Sequence, residues 1–431
     1  MGTTQGGARV RGGRSAAATV VTAVAAGTVL ALLGGCADAA TAGSTTGSSA
    51  GSSTGSSVGS TTGGADAAGT TCTVQAPDAA LPADGVALGV NPDWGAGTLA
   101  DFASATGVVP AAAVSFTALP VPQASVEAVH QAAEQVRTQG GVLVLTLEPT
   151  DGLAAVTPDV VADLVALLED VTSGGVPVLV RLAHEMNGSW YAWGQQPIAY
   201  TATFRAVAEA VHAQVPGAQM LWAPNYGGGY PFTGGAHAAV PGSADAAALD
   251  TDGDGAVTGA DDPYAPYWPG DDAVDWVGMS LYHWGSAYPW GEDELPEDGK
   301  LVAQLTGTYA GLGGDDSALP DFAGTYGTGH GKPLALVETA ALVSEGADAA
   351  TGLAIRRAWW RQVLGPALPA AVPSLRLVNW FDWDKQEPEV GGVVRWAVST
   401  DPAVAAAFRA DLPAWARQAD AVIPCAEAGE G

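Results

Sequence analysis

Short apolar runs recur along most of the chain, separated by longer stretches whose apolar positions return every three or four residues. The runs occupy 86–91, 108–116, 142–148, 178–185, 220–225, 274–282, 333–338 and 375–382. Most are apolar throughout rather than alternating, as parallel strands covered on both faces require. The stretches at 125–139, 158–171, 198–215 and 352–364 carry the helical period. Thr157-Pro158 and Gln196-Pro197 read as helix starts, with proline in the first turn, where its missing N–H costs nothing. Strand and helix alternating through eight runs predicts an α/β fold, a (β/α)8 TIM barrel forming a single catalytic domain. A doubly wound open sheet is the other solution to the same pattern. No Gly-x-Gly-x-x-Gly or phosphate-loop pattern follows any run, which counts against that alternative.

Ahead of the first run the composition is different. Arg9, Arg11 and Arg14 precede an apolar stretch over 16–33, and Leu33-Gly34-Gly35-Cys36 follows. This arrangement resembles a bacterial lipoprotein signal, with 1–35 removed and Cys36 lipidated. An ordinary signal peptide or a retained membrane helix has a similar length. Residues 36–71 are mostly Ser, Thr, Gly and Ala, which cannot bury a core and read as a flexible tether. With Cys36 taken, Cys72 and Cys425 flank the folded region, 72–425. Export permits disulfides, and a barrel brings its two ends together, so a Cys72–Cys425 bond is expected. The predicted location is outside the cell, on its surface through a lipid anchor in the membrane, or released.

Charge narrows the partners. Forty-five acidic residues against sixteen Lys and Arg give a formal charge of -29. That excludes nucleic acid as a partner, since its binding needs a basic surface. A neutral polymer is not repelled. A monomer is expected.

Active sites of such barrels lie at the C-terminal ends of the strands. Glu148, Glu185, Asn225, Tyr282, Glu338 and Asp382 all fall at or near those ends, with Trp190, Tyr191, Trp193, Trp284, Trp290, Trp380 and Trp383 at or beyond them. Two carboxylates facing across a cleft are what glycosidic cleavage needs, one protonated and one ionised. The fourth and seventh strands lie across a barrel from each other, so Glu185 and Glu338 can flank one sugar. Arg181 and Glu185, four apart on one predicted strand, would both point into the mouth. A strand-end glutamate can also be a structural ion-pair partner, here for Arg181 or Lys332. Loop tryptophans can stack on sugar rings or simply pack; Trp359 and Trp360, in a helical pattern, read as packing residues. His283 stands close enough to the site to contact sugar.

Arg181-Leu182-Ala183-His184-Glu185-Met186-Asn187-Gly188-Ser189-Trp190-Tyr191-Ala192-Trp193-Gly194 resembles the acid/base signature of glycoside hydrolase family 26, the β-mannanase family. Leu147-Glu148-Pro149, Trp222-Ala223-Pro224-Asn225, Tyr282 and Glu338 extend the likeness over about 86–400. The resemblance implies a retaining endo-acting β-glycoside hydrolase with Glu185 as acid/base and Glu338 as nucleophile. It implies that no cofactor serves catalysis, and that His184, Trp190, Trp193, Asn225, Tyr282 and Trp380 bind substrate, with Tyr282 bonded to the nucleophile and Trp380 as sugar platform. The substrate implied is a plant or microbial β-linked polysaccharide, first β-1,4-mannan. Trp380-Phe381-Asp382-Trp383-Asp384-Lys385, followed by Arg395-Trp396, departs from typical mannanases and keeps mixed-linkage β-glucan or β-1,3-xylan open. A non-catalytic carbohydrate-binding surface lipoprotein is the rival of a different class.

A separate motif lies between the fifth and sixth runs. Asp250, Asp252, Asp254, Ala256, Thr258 and Asp261 take positions 1, 3, 5, 7, 9 and 12 of a loop with Gly255 at position 6. The pattern resembles the calcium loop of dockerins and predicts an inserted structural calcium site over 250–261.

Overall fold

The computed structural model describes residues 74–82, 84–286 and 290–419. The expectations for the signal, the tether, Cys36, Cys72 and Cys425 fall outside these residues.

Eight parallel strands close into a barrel: β1 (Val86–Pro92), β2 (Ala112–Ala118), β3 (Val142–Glu148), β4 (Val178–Leu182), β5 (Ala218–Trp222), β6 (Trp276–Ser280), β7 (Leu334–Thr339) and β8 (Leu375–Asp382). Each pairs with the next, and β8 returns to β1 with Ala87 opposite Leu377 and Asn91 opposite Phe381. A short strand, Ala416–Arg417, adds to the start of β1. The fold is the (β/α)8 barrel that the strand-helix alternation predicts.

The longer helices that alternate with the strands are α1 (Leu99–Thr106), α2 (Gln123–Gln139), α3 (Pro158–Ser173), α4 (Pro197–Gln214), α5 (Ala244–Leu249), α6 (Lys300–Leu305) and α7 (Ala349–Val363), with α8 (Pro402–Ala410) after β8; short helical turns at Pro77–Ala80 and Ala367–Ala371 add to them. Their starts are chemically marked. Thr98 and Asp101 form a reciprocal capping box on α1. Thr157 caps α3 ahead of Pro158, Asp348 caps α7, and Asp401 caps α8 ahead of Pro402.

Two apolar layers result from strand periodicity. Ala87, Ala112, Val114, Val142, Val144, Leu179, Leu221, Trp276, Ala335, Val337 and Leu377 fill the barrel interior. The alternate residues, such as Leu143, Leu145, Val180 and Met220, face the helices together with the fully buried Trp359 and Trp360. Gly89 is required by a close approach: a Cβ there would lie 2.0 Å from Asn379 Oδ1 and 2.8 Å from the Ala112 carbonyl oxygen. The interior thus narrows around polar side chains just below the mouth.

Several boundaries differ from the sequence reading. The second strand starts at Ala112, not 108, because Pro110 has no N–H to give to a ladder. The fourth ends at Leu182, not 185. Ala183 and Glu185 have φ of 48° and 53°, the left-handed region, so the chain turns out of the strand.

Candidate active site

Glu185 therefore does not share a strand face with Arg181. It sits in a turn beyond β4, held over the next strand by its own amide, which donates to the Ala223 carbonyl at 3.0 Å. Asn187 fixes the same turn with two bonds to the backbone of Asn225, each 2.8 Å. Gly188 is needed there, since a Cβ would lie 2.3 Å from the Trp190 ring. The Trp190 indole N–H then donates to Glu185 Oε2 at 3.1 Å. Left-handed non-glycine residues are costly and persist where surrounding bonds over-determine them, as they do here.

Glu338 reaches the interior by a different device. Leu334 and Leu336 face the helices, while Ala335 and Val337 face inward. Strict alternation would send Glu338 outward. A one-residue bulge intervenes: Met279 pairs with Leu336 and Ser280 with Glu338, while on the other side Val378 pairs with Leu336 and Trp380 with Thr339. The bulge lets Val337 and Glu338 both face inward. Thr339 turns to the helix layer, where its hydroxyl accepts from the Trp359 indole at 3.0 Å.

One network links the two glutamates. Arg181, with no exposed surface, donates from Nη1 to Glu338 Oε1 and from Nη2 to the Ser280 hydroxyl at 2.7 Å. The Ser280 hydroxyl also lowers the proton affinity of the Glu185 carboxylate. Tyr282 donates to Glu338 Oε2 at 2.6 Å. Both oxygens of Glu338 thus accept from protein donors, and Arg181 is its ion-pair partner. Lys332 is not; its amine donates to the Asp271 carbonyl, away from the site.

The two carboxylates have different surroundings. Burial, then the Glu338 charge, pushes the Glu185 carboxyl up to about 7, against the opposing pull of Arg181, the Ser280 hydroxyl and the Trp190 bond. Glu338 instead accepts a hydrogen bond on each oxygen, one from a guanidinium and one from a phenol. Glu185 therefore holds its proton up to about neutral pH. Burial, with Arg181 and Lys385 nearby, holds the His184 imidazole well below its ordinary value and so neutral.

Glu148 was noted at a strand end but given no role by sequence reasoning, and Ser280 and Lys385 were not singled out. All three belong to this region. Burial and then the Glu338 charge push the Glu148 carboxyl up to about 7, with Arg181 and Lys385 opposing. The Lys385 amine lies 5.5 Å from the Phe381 ring centroid and 5.8 Å from that of Trp383, and 3.4 Å from Glu387. Period two was the available signal: Glu148 follows inward Val144 and Thr146, and Ser280 precedes Tyr282 by two.

The tryptophans need correction. Trp380 is 1% exposed and packs outward between Trp360 and Phe408, its indole bonded to the Trp396 carbonyl, so it offers no sugar platform. Its place on β8 puts it on the helix face; Phe381 and the half-buried Trp383 are the cleft-side neighbours. Trp193 is likewise 1% exposed, stacked under Tyr191 at 4.5 Å and bonded to the His184 carbonyl, which makes it a support. Trp190 is buried against Phe232 and serves Glu185. His283 is buried away from substrate, bonded to the Glu294 carbonyl and near Lys300. Tyr191, Trp284 and Trp383 keep partly exposed faces at the mouth. His184 touches Phe116, Tyr191 and Trp193, and the half-buried Asn225 donates to the Tyr226 carbonyl.

The acidic loop lies between β5 and β6. Asp250, Asp252 and Asp254 each bring one carboxylate oxygen within 4.8 Å of the others, a spacing one divalent cation can bridge. Asp261 does not join them. Its two oxygens accept from the amides of Thr251, Asp252 and Thr258 and from the Thr251 hydroxyl. The twelfth position therefore closes the loop on itself. The Thr258 hydroxyl accepts from the Ala260 amide, and the Ala256 amide donates to Asp254. Val257 packs on the Trp190, Tyr230 and Phe232 cluster, so the loop leans on the support of Glu185.

Residues 144–228 match the model of Glycosyl hydrolase family 26. The matched stretch holds Glu148, Arg181, His184, Glu185 and Asn225, while Glu338 lies beyond it. A segment of 168 residues is 24% identical to Endoglucanase H of Acetivibrio thermocellus, covering 37% of this chain and 16% of that protein's length. Among solved structures, GH26C from Muricauda sp. MAR_2010_75 is similar, with a TM-score of 0.51, 13% identity, and coverage of 78% of this chain and 88% of that one. A Cellulomonas fimi endo-beta-1,4-mannanase double mutant aligns with a TM-score of 0.47 and 18% identity, over 80% of this chain and 78% of its own. The Muricauda likeness is one of fold and matches the closed barrel described above.

Proposed function

We propose that the chain is a retaining β-glycoside hydrolase of family 26, with Glu338 as nucleophile and Glu185 as acid/base. The observation that carries this reading is Arg181, which donates both to Glu338 and to the Ser280 hydroxyl, in the cleft where burial and the Glu338 charge push the Glu185 carboxyl up to about 7. Glu338 attacks the anomeric carbon as Glu185 passes its proton to the departing glycosidic oxygen, giving a covalent glycosyl-enzyme. Esterification removes the Glu338 charge, which is one cause of the high Glu185 proton affinity. Glu185 therefore becomes more acidic at the stage where it must accept a proton from water. Attack of that water on the anomeric carbon frees Glu338 and retains configuration.

The substrate proposed is a β-linked polysaccharide, first β-1,4-mannan, cleaved internally. The stacked Phe381–Trp383 pair under Lys385 keeps mixed-linkage β-glucan and β-1,3-xylan as the alternatives. The further proposals are a monomer exported as a lipoprotein or released form, tied by Cys72–Cys425, with a structural calcium on Asp250, Asp252 and Asp254 and none needed for catalysis. Incubation with mannan, barley β-glucan, β-1,3-xylan and cellulose, followed by product analysis, tests the activity. Reducing sugar from one of them, lost in Glu338→Ala, is expected. No product from any of them would favour a sugar-binding protein without catalysis.

A further inference from the structure

Glu148 closes β3 on the inner face of the barrel, two residues after Thr146, which lies opposite Arg181 on β4. It thus stands one layer above the guanidinium that holds Glu338. On the neighbouring strand it lies opposite Ala118, too small to cover it. Its backbone carbonyl accepts from Leu119 and Thr150, which fixes where the side chain starts. Among the described residues its carboxylate has no hydrogen-bond or ion-pair partner, although it is half-buried. The cations that act on it, Arg181 and Lys385, are committed to Glu338 and Glu387. The Glu338 and Glu185 charges act on it as well, and its inward face on β3 turns it to the same barrel mouth.

A half-buried carboxylate without protein donors loses part of its hydration and has no protein hydrogen bond to offset that loss. A group that brings hydroxyl hydrogens into the cleft would supply the missing donors. The proposed mechanism puts a sugar ring there, over Glu338. We infer that Glu148 is a specificity-determining residue that accepts a hydroxyl hydrogen from the sugar ring bound at the cleavage position. A ring lacking that hydroxyl, or carrying it in the other orientation, leaves the carboxylate unpaired and is rejected. This inference rests on the hydrolase reading above and adds to it the group that reads ring stereochemistry.

The test uses the full chain with an aryl glycoside of the sugar that the wild type hydrolyses and a set of its analogues, each lacking one ring hydroxyl. Glu148→Gln and Glu148→Ala are compared with wild type, with melting temperature as the folding control. Against the parent glycoside, Glu148→Ala should lose roughly 10- to 100-fold in kcat/KM, the worth of a hydrogen bond to a charged group. Glu148→Gln, which keeps an acceptor oxygen of the same shape, should lose less. On one deoxy analogue the three proteins should be equal within about threefold, because the bonded hydroxyl is already gone. An equal loss on every analogue would mean a structural or electrostatic role and would overturn the inference, as would full activity of both variants on all of them. Activity surviving in Glu338→Ala would instead count against the hydrolase reading itself.

Discussion

Replacing Glu185 by Gln should stabilise the fold at pH 8 while abolishing activity. The carboxyl is held at about 7, mainly by burial and then by the Glu338 charge. Below about pH 4, folded and unfolded chains both carry the proton, and the group does not affect stability. Between that point and pH 7 the unfolded chain releases its proton first, so stability falls as pH rises. Above pH 7 the whole penalty is present. A displacement from the ordinary glutamate value to about 7 corresponds to roughly 3 kcal/mol, at about 1.4 kcal/mol per tenfold change in affinity. Glu185 is only half-buried, and water on the cleft side reduces this to about 1–2 kcal/mol. Glutamine keeps the shape and the acceptor for Trp190 without the charge. Urea unfolding of wild type and Glu185→Gln at pH 4.5 and pH 8 reads the difference. The variant should gain about 1–2 kcal/mol at pH 8 relative to its position at pH 4.5. An equal offset at both pH values, or a variant that is weaker at pH 8, would refute the argument that the site stores a destabilising charge.

The same group predicts that kcat/KM falls above about pH 7, because the proton donor is lost; a profile flat from pH 6 to pH 9 would contradict it. Ser280→Ala removes a hydroxyl that lowers the Glu185 value, so the alkaline limb should move to higher pH, and a shift downward would count against that role. Tyr282→Phe removes the 2.6 Å bond to Glu338 and should cost kcat/KM roughly 10- to 100-fold, with KM little changed; unaltered kinetics would refute the role. Calcium should raise the melting temperature of wild type and not of Asp252→Ala or Asp254→Ala. No rise in the wild type would reject the metal site on that loop.

The fold was legible because a parallel barrel needs strands that are apolar on both faces, and such runs stand out between helical periods. Strand ends were legible only where the backbone obeyed the period. The β4 end was misplaced because Ala183 and Glu185 adopt left-handed conformations, which side-chain identity does not announce. Glu338 was found by its place at the end of a run, yet alternation alone would have turned it outward. The bulge that re-aims it depends on pairing with β6 and β8, both remote in sequence. Trp193 and Trp380 show the same limit in reverse. Both lie beside functional residues in the chain, but one supports the His184 backbone and the other faces α7 and α8. Ser280 and Glu148 were visible as inward positions, but what they touch depends on tertiary placement.

The account stands most directly on Glu338 as the nucleophile that bonds to the anomeric carbon. A 2-deoxy-2-fluoro glycoside with a good leaving group, matched to the hydrolysed sugar, should form the ester and release it slowly. Peptide mass spectrometry after a brief incubation should find the fluoro-sugar on the peptide containing Glu338. An adduct on another residue, or none while the same reagent is turned over with inversion at the anomeric carbon, would contradict it.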